Sequence, residues 1–322
     1  MNMKYSVIVP AYNARTDILS ILAWWEAVRQ KRVDIELIII DDGSTDGTYD
    51  MLMAHKCVGI TVHRQENQGV SAARNRGLSL ARGEFFLFLD ADDEYALNIF
   101  DVLDQSMMDD VDLYAFNYSI TGVKMNLNVD AYLFSTTEII QRFIHRQLSL
   151  CICALCFRRT IFQNDITFPE QYHFGEDVYM ILKILLTSSS SVHYIPDVLF
   201  NYRLDQSKTV RSPIDVNKIS VLELYAQLFV QCSTSSEMMA LIKYFRQRTY
   251  LYLLKLCVKN GVADDAVWPM LLAQSRILKD NVFGQFPIDF QCARSLILTC
   301  PRFVIGCIRM HTFLFNKNSP MH

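Results

Sequence analysis

The chain has 322 residues, 51% of them hydrophobic and 20% charged, which is ample for a packed core and excludes a disordered chain. The formal net charge of −3 hides an asymmetry: residues 211–322 carry 13 Lys and Arg against 7 Asp and Glu, whereas residues 1–210 carry 18 against 27. An acidic first part, and a basic tail without a recognised reader module, argue against nucleic-acid binding.

Tyr5 to Val9 reads as a strand, Asp17 to Gln30 as a helix, Ile35 to Ile40 as a strand and Asp46 to Ala54 as a short helix. A strand near Ile60 to His63, a helix from Val70 to Ala81 and the apolar strand Phe85 to Leu89 continue the alternation. Such strands separated by helices predict an α/β fold, a Rossmann-like and mostly parallel sheet flanked by helices, with ligands gathering at the carboxyl ends of the strands. The notable polar residues lie there. Pro10, Tyr12 and Asn13 follow the first strand, Asp41 to Ser44 the second, Asn67 and Gly69 the third, and Asp90 to Asp93 the fourth.

A helix over Glu94 to Met108 and a strand over Val111 to Tyr118 extend this unit, and Ser135 with Glu138 offers a capping-box start for another helix. Gly175, Glu176 and Asp177 introduce a helix through Leu186. Beyond about residue 211 helical patterns dominate, over Val216 to Phe229, Met238 to Val258 and Asp264 to Leu278. The expected organisation is therefore a nucleotide-binding and catalytic domain over 1–210 and a helical extension over 211–322.

The stretch Phe290 to His322 has no acidic residue but holds Arg294, Arg302, Arg309 and Lys317 among apolar side chains. Its apolar runs are too short for an ordinary spanning helix, so a peripheral membrane contact through 290–322 and a C-terminal helix packed on the domain are both open, anionic lipid favouring the former. Met1 to Asn13 lacks a basic leader followed by a long apolar stretch, which gives a cytoplasmic expectation, at the inner face of the cell membrane. Nine cysteines without regular spacing do not form a disulfide framework. Cys151, Cys153, Cys156 and His145 contain enough ligands for zinc, but they sit in or beside an apolar run that reads as core.

Three carboxylates at the end of a buried strand repel one another, and a divalent cation is the simplest neutraliser. Mg²⁺ or Mn²⁺ would join one or two of them to substrate phosphates, which points to a nucleotide-diphosphate substrate; the alternative is a solvated acidic turn before a helix.

Ser6-Val7-Ile8-Val9-Pro10-Ala11-Tyr12-Asn13, Asp41-Asp42-Gly43-Ser44-Thr45-Asp46, Asn67 through Asn75 and Leu89-Asp90-Ala91-Asp92-Asp93 together resemble the family 2 glycosyltransferases in order and spacing. Phe168-Pro169, Gly175-Glu176-Asp177 and Tyr202-Arg203 extend the resemblance over roughly residues 4 to 210. It implies a GT-A type domain and inverting transfer from a UDP-sugar to an acceptor hydroxyl with Mn²⁺ or Mg²⁺.

In that setting Tyr12 offers a flat face for a base beside the Pro10 backbone, Asp42 accepts from a pyrimidine imide with Asp41 in support, and Asn67 completes base recognition. Arg74 meets the diphosphate or holds the acidic loop. Asp90 and Asp92 correspond to the family's DxD metal motif, with Asp93 near ribose. Asp177 is the expected base and Glu176 its neighbour, from the family's ED motif. Arg203 and Lys208 are candidates to close over the diphosphate. Cys151 to Phe157 departs from the Trp and Lys that many relatives have before the basic pair matching Arg158 and Arg159.

The expected activity is transfer of galactose or glucose to a polyprenyl-diphosphate-linked saccharide in bacterial surface-polysaccharide synthesis, such as O-antigen or capsule. Transfer to polyprenyl phosphate, or a non-catalytic nucleotide- or carbohydrate-binding role in an assembly complex, are the alternatives.

Overall fold

The computed structural model describes residues 3–55, 57–126, 129–163, 166–188, 190–203, 213–231, 235–263, 265–280, 288–300, 302 and 304–307. The chain divides into two compact units, Met1–Leu204 and Asp205–His322.

The first unit opens with β1 (Tyr5–Ala11), α1 (Ile18–Arg29), β2 (Ile35–Asp42), α2 (Thr48–Ala54), β3 (Ile60–Gln65), α3 (Val70–Leu80) and β4 (Phe85–Phe88). β1 lies between β2 and β4, β3 flanks β2, and these pairings are all parallel. Every residue of β1, β2 and β4 is buried, which explains their Val, Ile, Leu and Phe runs: both faces are covered, and the polar Ser6 and Glu36 among them are hydrogen-bonded to each other at 2.7 Å.

The unit continues with β5 (Glu94–Tyr95), α4 (Ile99–Ser106), β6 (Leu113–Ile120), β7 (Val123–Lys124), β8 (Tyr132–Phe134), α5 (Thr136–Ile144), β9 (Leu155–Arg158), α6 (Glu176–Thr187) and β10 (Val192–Tyr202). All ten strands form one sheet, ordered β3-β2-β1-β4-β9-β6-β10-β5, with β7 on β6 and β8 on β10. β9 enters antiparallel between β4 and β6, so the parallel half expected from the sequence ends at β4 and the sheet is mixed beyond it. β6 and β10 are parallel, with register shifts between Ile195 and Phe200.

Two boundaries differ from the sequence expectation. The helix expected over 94–108 begins only at Ile99, because Glu94–Tyr95 pairs with Phe200 and Asn201 as an edge strand. Buried Tyr95 fixes that departure, its hydroxyl lying 2.7 Å from the carbonyls of both Phe88 and Cys153. β6 starts two residues later than expected, since Tyr114 Oη takes the Met108 N–H at 3.0 Å and closes the preceding turn. At the start of α5, Ser135 Oγ accepts from Glu138 N at 3.2 Å, the cap that the sequence predicts.

Cys153 and Cys156 are buried in the apolar run. Among the described residues they do not gather with Cys151 and His145 into a ligand group.

The second unit contains α7 (Val216–Gln231), α8 (Ser236–Asn260), α9 (Val267–Gln274) and α10 (Ile288–Thr299). Gln247 in α8 donates to the carbonyls of Ile277 and Asp280 at 3.0 and 2.8 Å, and Tyr250 Oη to Leu271 O at 3.0 Å. In α10, Arg294 donates to the carbonyls of Leu278 and Asp280 at 2.8 and 3.2 Å. That part of the basic tail is thus engaged with its own unit; Arg309 and Lys317 lie outside the described residues, as does Lys208. No helix among the described residues is long and apolar enough to cross a membrane.

Helix α3 lies directly on β1, and Gly77 is what lets it approach: a methyl group there would collide with Ile8 Cγ2. Ala usually stabilises a helix by about 1 kcal/mol over Gly, yet here overpacking dominates. Gly77→Ala is expected to lose about 1–3 kcal/mol, read as a lower urea midpoint; a higher midpoint would contradict this packing.

Candidate functional site

Three loops at the carboxyl ends of the parallel strands are tied together by their own polar groups. Asn13, at φ 49°, donates its N–H to Ser44 Oγ at 2.9 Å and accepts from Thr45 N at 2.8 Å. Gly43 holds φ 74°, and a Cβ there would stand 2.8 Å from Asn67 N, so the second and third loops meet only because no side chain intervenes. Tyr12 stands beside this junction, 52% exposed, after Pro10, which is buried in β1. Asn67 is exposed.

The two aspartates that end β2 have different employment. Asp42 is buried and saturated: its carboxylate accepts from Gln65 Nε2 at 2.9 Å, Gln68 N at 2.9 Å and Gly69 N at 2.8 Å. Its donors are all internal, and they shape the loop that starts α3. Asp41 is fully buried, and neither of its oxygens has a hydrogen-bond partner. Arg64 Nε is 3.3 Å from Asp41 Oδ2, an ion pair outside hydrogen-bonding geometry.

Arg74 is the centre of the second cluster. Its guanidinium, 3% exposed, contacts Asp90 Oδ1 at 2.8 Å through Nη2 and Glu176 Oε1 at 3.5 Å through Nη1. It also lies over the Phe168 ring, 5.4 Å from the centroid. Asn75, one residue along, both donates to Phe168 O and accepts from Phe168 N, at 2.9 and 2.8 Å, fixing that ring's loop. The guanidinium thus joins the acidic loop after β4 to the first turn of α6.

Glu176 and Asp177 begin α6 after Gly175, which takes a left-handed conformation at φ 75°. Burial, then the neighbouring Asp177 charge, push the Glu176 carboxyl up to about 7, with Arg74 opposing. Burial also raises Asp177, against the pull of Arg74 and of the Val178 N–H that bonds its Oδ1 at 2.7 Å. Both carboxylates are therefore more basic than solvated ones, the property a proton acceptor needs.

In the acidic loop Asp90 and Asp92 are half-buried, whereas Asp93 is 1% exposed. Asp93 Oδ1 accepts from Arg203 N at 2.8 Å, and its Oδ2 is buried without a partner. Burial foremost pushes Asp93 up to about 8. Ligand atoms of Asp90, Asp93 and Cys153 lie within 4.8 Å of one another, which brings Asp93 beside Asp90, one of the two carboxylates expected from the sequence to hold a metal. The hydrogen bond with Cys151, and then burial, hold the Cys153 thiol well above its usual range, and it stays neutral. The available donors are then carboxylate oxygens, which suit Mg²⁺ or Mn²⁺ and not a thiolate-seeking ion. Asp90 gives Arg74 one oxygen and is 35% exposed, so the other can face a ligand.

Arg203 is turned to the scaffold: its guanidinium pairs with Glu94 at 2.6 Å and meets Ser20 Oγ at 3.3 Å. Sequence reasoning missed Asn75 and the Phe168 ring as supports of Arg74, although Asn75 stood inside a quoted motif. It also missed the Tyr118 and Ser149 hydroxyls, 2.6 Å apart, in a region where the Asp177 charge raises the Tyr118 phenol, though less than burial does.

Residues 6–164 match the family described as Glycosyl transferase family 2. The chain is 26% identical to glycosyltransferase GlyG of Streptococcus pneumoniae over 250 residues, 72% of this chain and 81% of that protein. It is 25% identical to the cholesterol galactosyltransferase of Borreliella burgdorferi over 322 residues, 91% and 87% of the two. Its match to Bacillus subtilis EpsH, at 28% identity, takes in 64% of this chain and 62% of that protein's length. Among solved structures, S. aureus TarS 1–349 in complex with UDP-GlcNAc superposes with a TM-score of 0.72 at 19% identity, over 99% of this chain and 93% of that one. The Pyrobaculum calidifontis mannosyltransferase PcManGT, solved with GDP-Man and Mn²⁺, gives 0.55 at 15% identity, over 100% and 89%. These likenesses establish a GT-A-like α/β fold, and residues 6–164 are similar to the family 2 glycosyltransferases.

Proposed function

We propose that the chain is an inverting, metal-dependent glycosyltransferase that moves a hexose from a UDP-sugar to a hydroxyl of a lipid-linked saccharide in bacterial surface-polysaccharide synthesis. One observation carries the reading. The Arg74 guanidinium contacts both Asp90, in the loop that would face a nucleotide diphosphate, and Glu176, beside the expected base. Donor-side and acceptor-side carboxylates therefore meet at one guanidinium.

Uridine would stack on Tyr12, with its imide N–H directed at Asp41. This exchanges the roles expected for the two β2 aspartates, because Asp42 already accepts three internal donors while both Asp41 oxygens are buried without a hydrogen bond. Asn67 stands exposed beside the same loop junction. Asp90 and Asp92 would hold Mn²⁺ or Mg²⁺, whose charge neutralises the departing diphosphate.

Asp177 takes the proton from the acceptor hydroxyl as its oxygen bonds to the anomeric carbon and the bond from that carbon to the UDP oxygen breaks. A single displacement gives a β linkage from an α-linked donor. Burial and, to a lesser extent, the Asp90 charge keep Asp177 basic, and the Asp177 charge in turn raises its neighbour Glu176. TarS complexes with UDP and UDP-GlcNAc and a galactosyltransferase among the relatives support a UDP-sugar donor, with galactose or glucose as the sugar. A polyprenyl-diphosphate carrier as acceptor, and a place at the inner face of the cell membrane reached through 290–322, complete the proposal.

Asp177→Asn is expected to retain UDP affinity within about twofold and lose transfer by about a thousandfold, measured by UDP release with Mn²⁺ and calorimetric UDP titration. Transfer at the parental rate would remove Asp177 as base. Asp92→Ala should abolish metal-dependent turnover in the same assay.

The two β2 aspartates separate by readout. Asp41→Asn should weaken UDP about tenfold with little change in stability, and Asp42→Ala should cost about 2 kcal/mol in urea unfolding. Unchanged UDP affinity in Asp41→Asn would refute its role.

Raised carboxyl pKa values also set the pH profile. Transfer should climb with pH as the coupled Glu176 and Asp177 pair deprotonates, through about 7 for Glu176, and flatten above that. A rate constant that is level from pH 5 to 8 would contradict a buried carboxylate base.

A further inference from the structure

A second group of ligating side chains lies at the opposite rim of the sheet. His55 and residues 57–59 precede β3 and so sit at the amino ends of the parallel strands, whereas the loops of the proposed nucleotide site leave the carboxyl ends. Here Glu26 near the end of α1 meets His55 and Cys57, and one ligand atom from each lies within 4.8 Å of the others.

We propose that Glu26, His55 and Cys57 form a Zn²⁺ site, separate from the glycosyltransferase centre. Carboxylate, imidazole and thiolate are the three donor classes that zinc accepts, and three protein ligands leave a fourth position for water. The spacing fits: ligands at zinc-bond distance in a tetrahedron stand about 3.3–3.6 Å apart, and His55 Nε2 is 3.1 Å from Glu26 Oε1. That nitrogen is enclosed by protein and makes no hydrogen bond, its close neighbour being the Glu26 carboxylate with which it can ion-pair only when protonated. Buried polar nitrogens are rarely left so, and a metal would satisfy it. Cys57 is a free thiol whose own contact is a 3.9 Å approach to Val58 O.

The loop is already seated for this purpose. Trp25 Nε1 donates to Val58 O at 3.2 Å, and a Cβ at Gly59 would stand 3.1 Å from the Trp25 ring and from Arg29 Nε. Binding would release the Cys57 proton to solvent and clasp the α2–β3 connection to α1. The donor set also separates this site from the catalytic one, which offers carboxylate oxygens beside a neutral thiol.

The test is equilibrium dialysis of Zn²⁺ against the full chain after chelator treatment, paired with the thiolate-to-cobalt charge-transfer band on Co²⁺ loading. The expected result is one tightly held Zn²⁺, weakened roughly 100-fold in Cys57→Ser, with the cobalt band lost in that variant and kept in Cys153→Ser. His55→Gln, read by the same dialysis, should show the same loss and serves if Cys57→Ser does not fold. Zn²⁺ affinity unchanged in both variants, or a band that survives Cys57→Ser and vanishes in Cys153→Ser, would overturn the assignment.

Discussion

A buried guanidinium is costly unless its charge is met, and Arg74 is met from two directions, by Asp90 after β4 and by Glu176 at the start of α6. Its flat face rests on Phe168, which Asn75 holds in place through two hydrogen bonds. One side chain on α3 therefore fixes the relation between three segments far apart in sequence. The charges do not cancel, however. One guanidinium faces Asp90, Glu176 and Asp177, with Asp92 and Asp93 nearby in the same loop. Burial foremost, with this excess added, makes Glu176 and Asp177 bind protons more tightly than solvated carboxylates, and a cation entering the acidic loop would be strongly attracted.

The loops after β2 and β3 are organised differently. Asp42 gives its acceptor capacity to the backbone of Gln68 and Gly69, which shapes the entry to α3 and so places Arg74. Asp41, one residue earlier, faces the other side of the pleat and has no such duty. Adjacent carboxylates thus divide into one that builds the loop and one left buried without a hydrogen bond, and the second is the natural acceptor for a ligand N–H.

Much of this was legible in the sequence because fully buried parallel strands leave a plain signature. Apolar runs such as Val7–Val9, Leu37–Ile40 and Phe85–Leu89 marked β1, β2 and β4, and polar residues immediately after each run marked the rim at the carboxyl ends of the strands. Ser135 announced its cap through Glu138, and Gly175 announced the sharp entry to α6. Strand direction was not legible: Leu155 to Arg158 reads as core whichever way it runs, and only pairing with β4 and β6 makes it antiparallel. β10 escaped notice because Pro196 and Asp197 interrupt it where its register shifts. The division between Asp41 and Asp42 could not be read from their order, since it depends on donors 23 to 27 residues away from Asp42. The Arg74 bridge to Glu176 spans 102 residues, beyond any local pattern.

The central claim is that the donor diphosphate and the base are held on the two sides of one joint, the Arg74 guanidinium. A crystal structure with UDP-sugar and Mn²⁺ tests it most directly. The account predicts uracil on Tyr12 with its N–H at Asp41, the ion and diphosphate at Asp90 and Asp92, and Asp177 facing the anomeric carbon from the side opposite the phosphate. A nucleotide bound away from Asp41 and Asp90, or Asp177 shielded from the sugar, would contradict it.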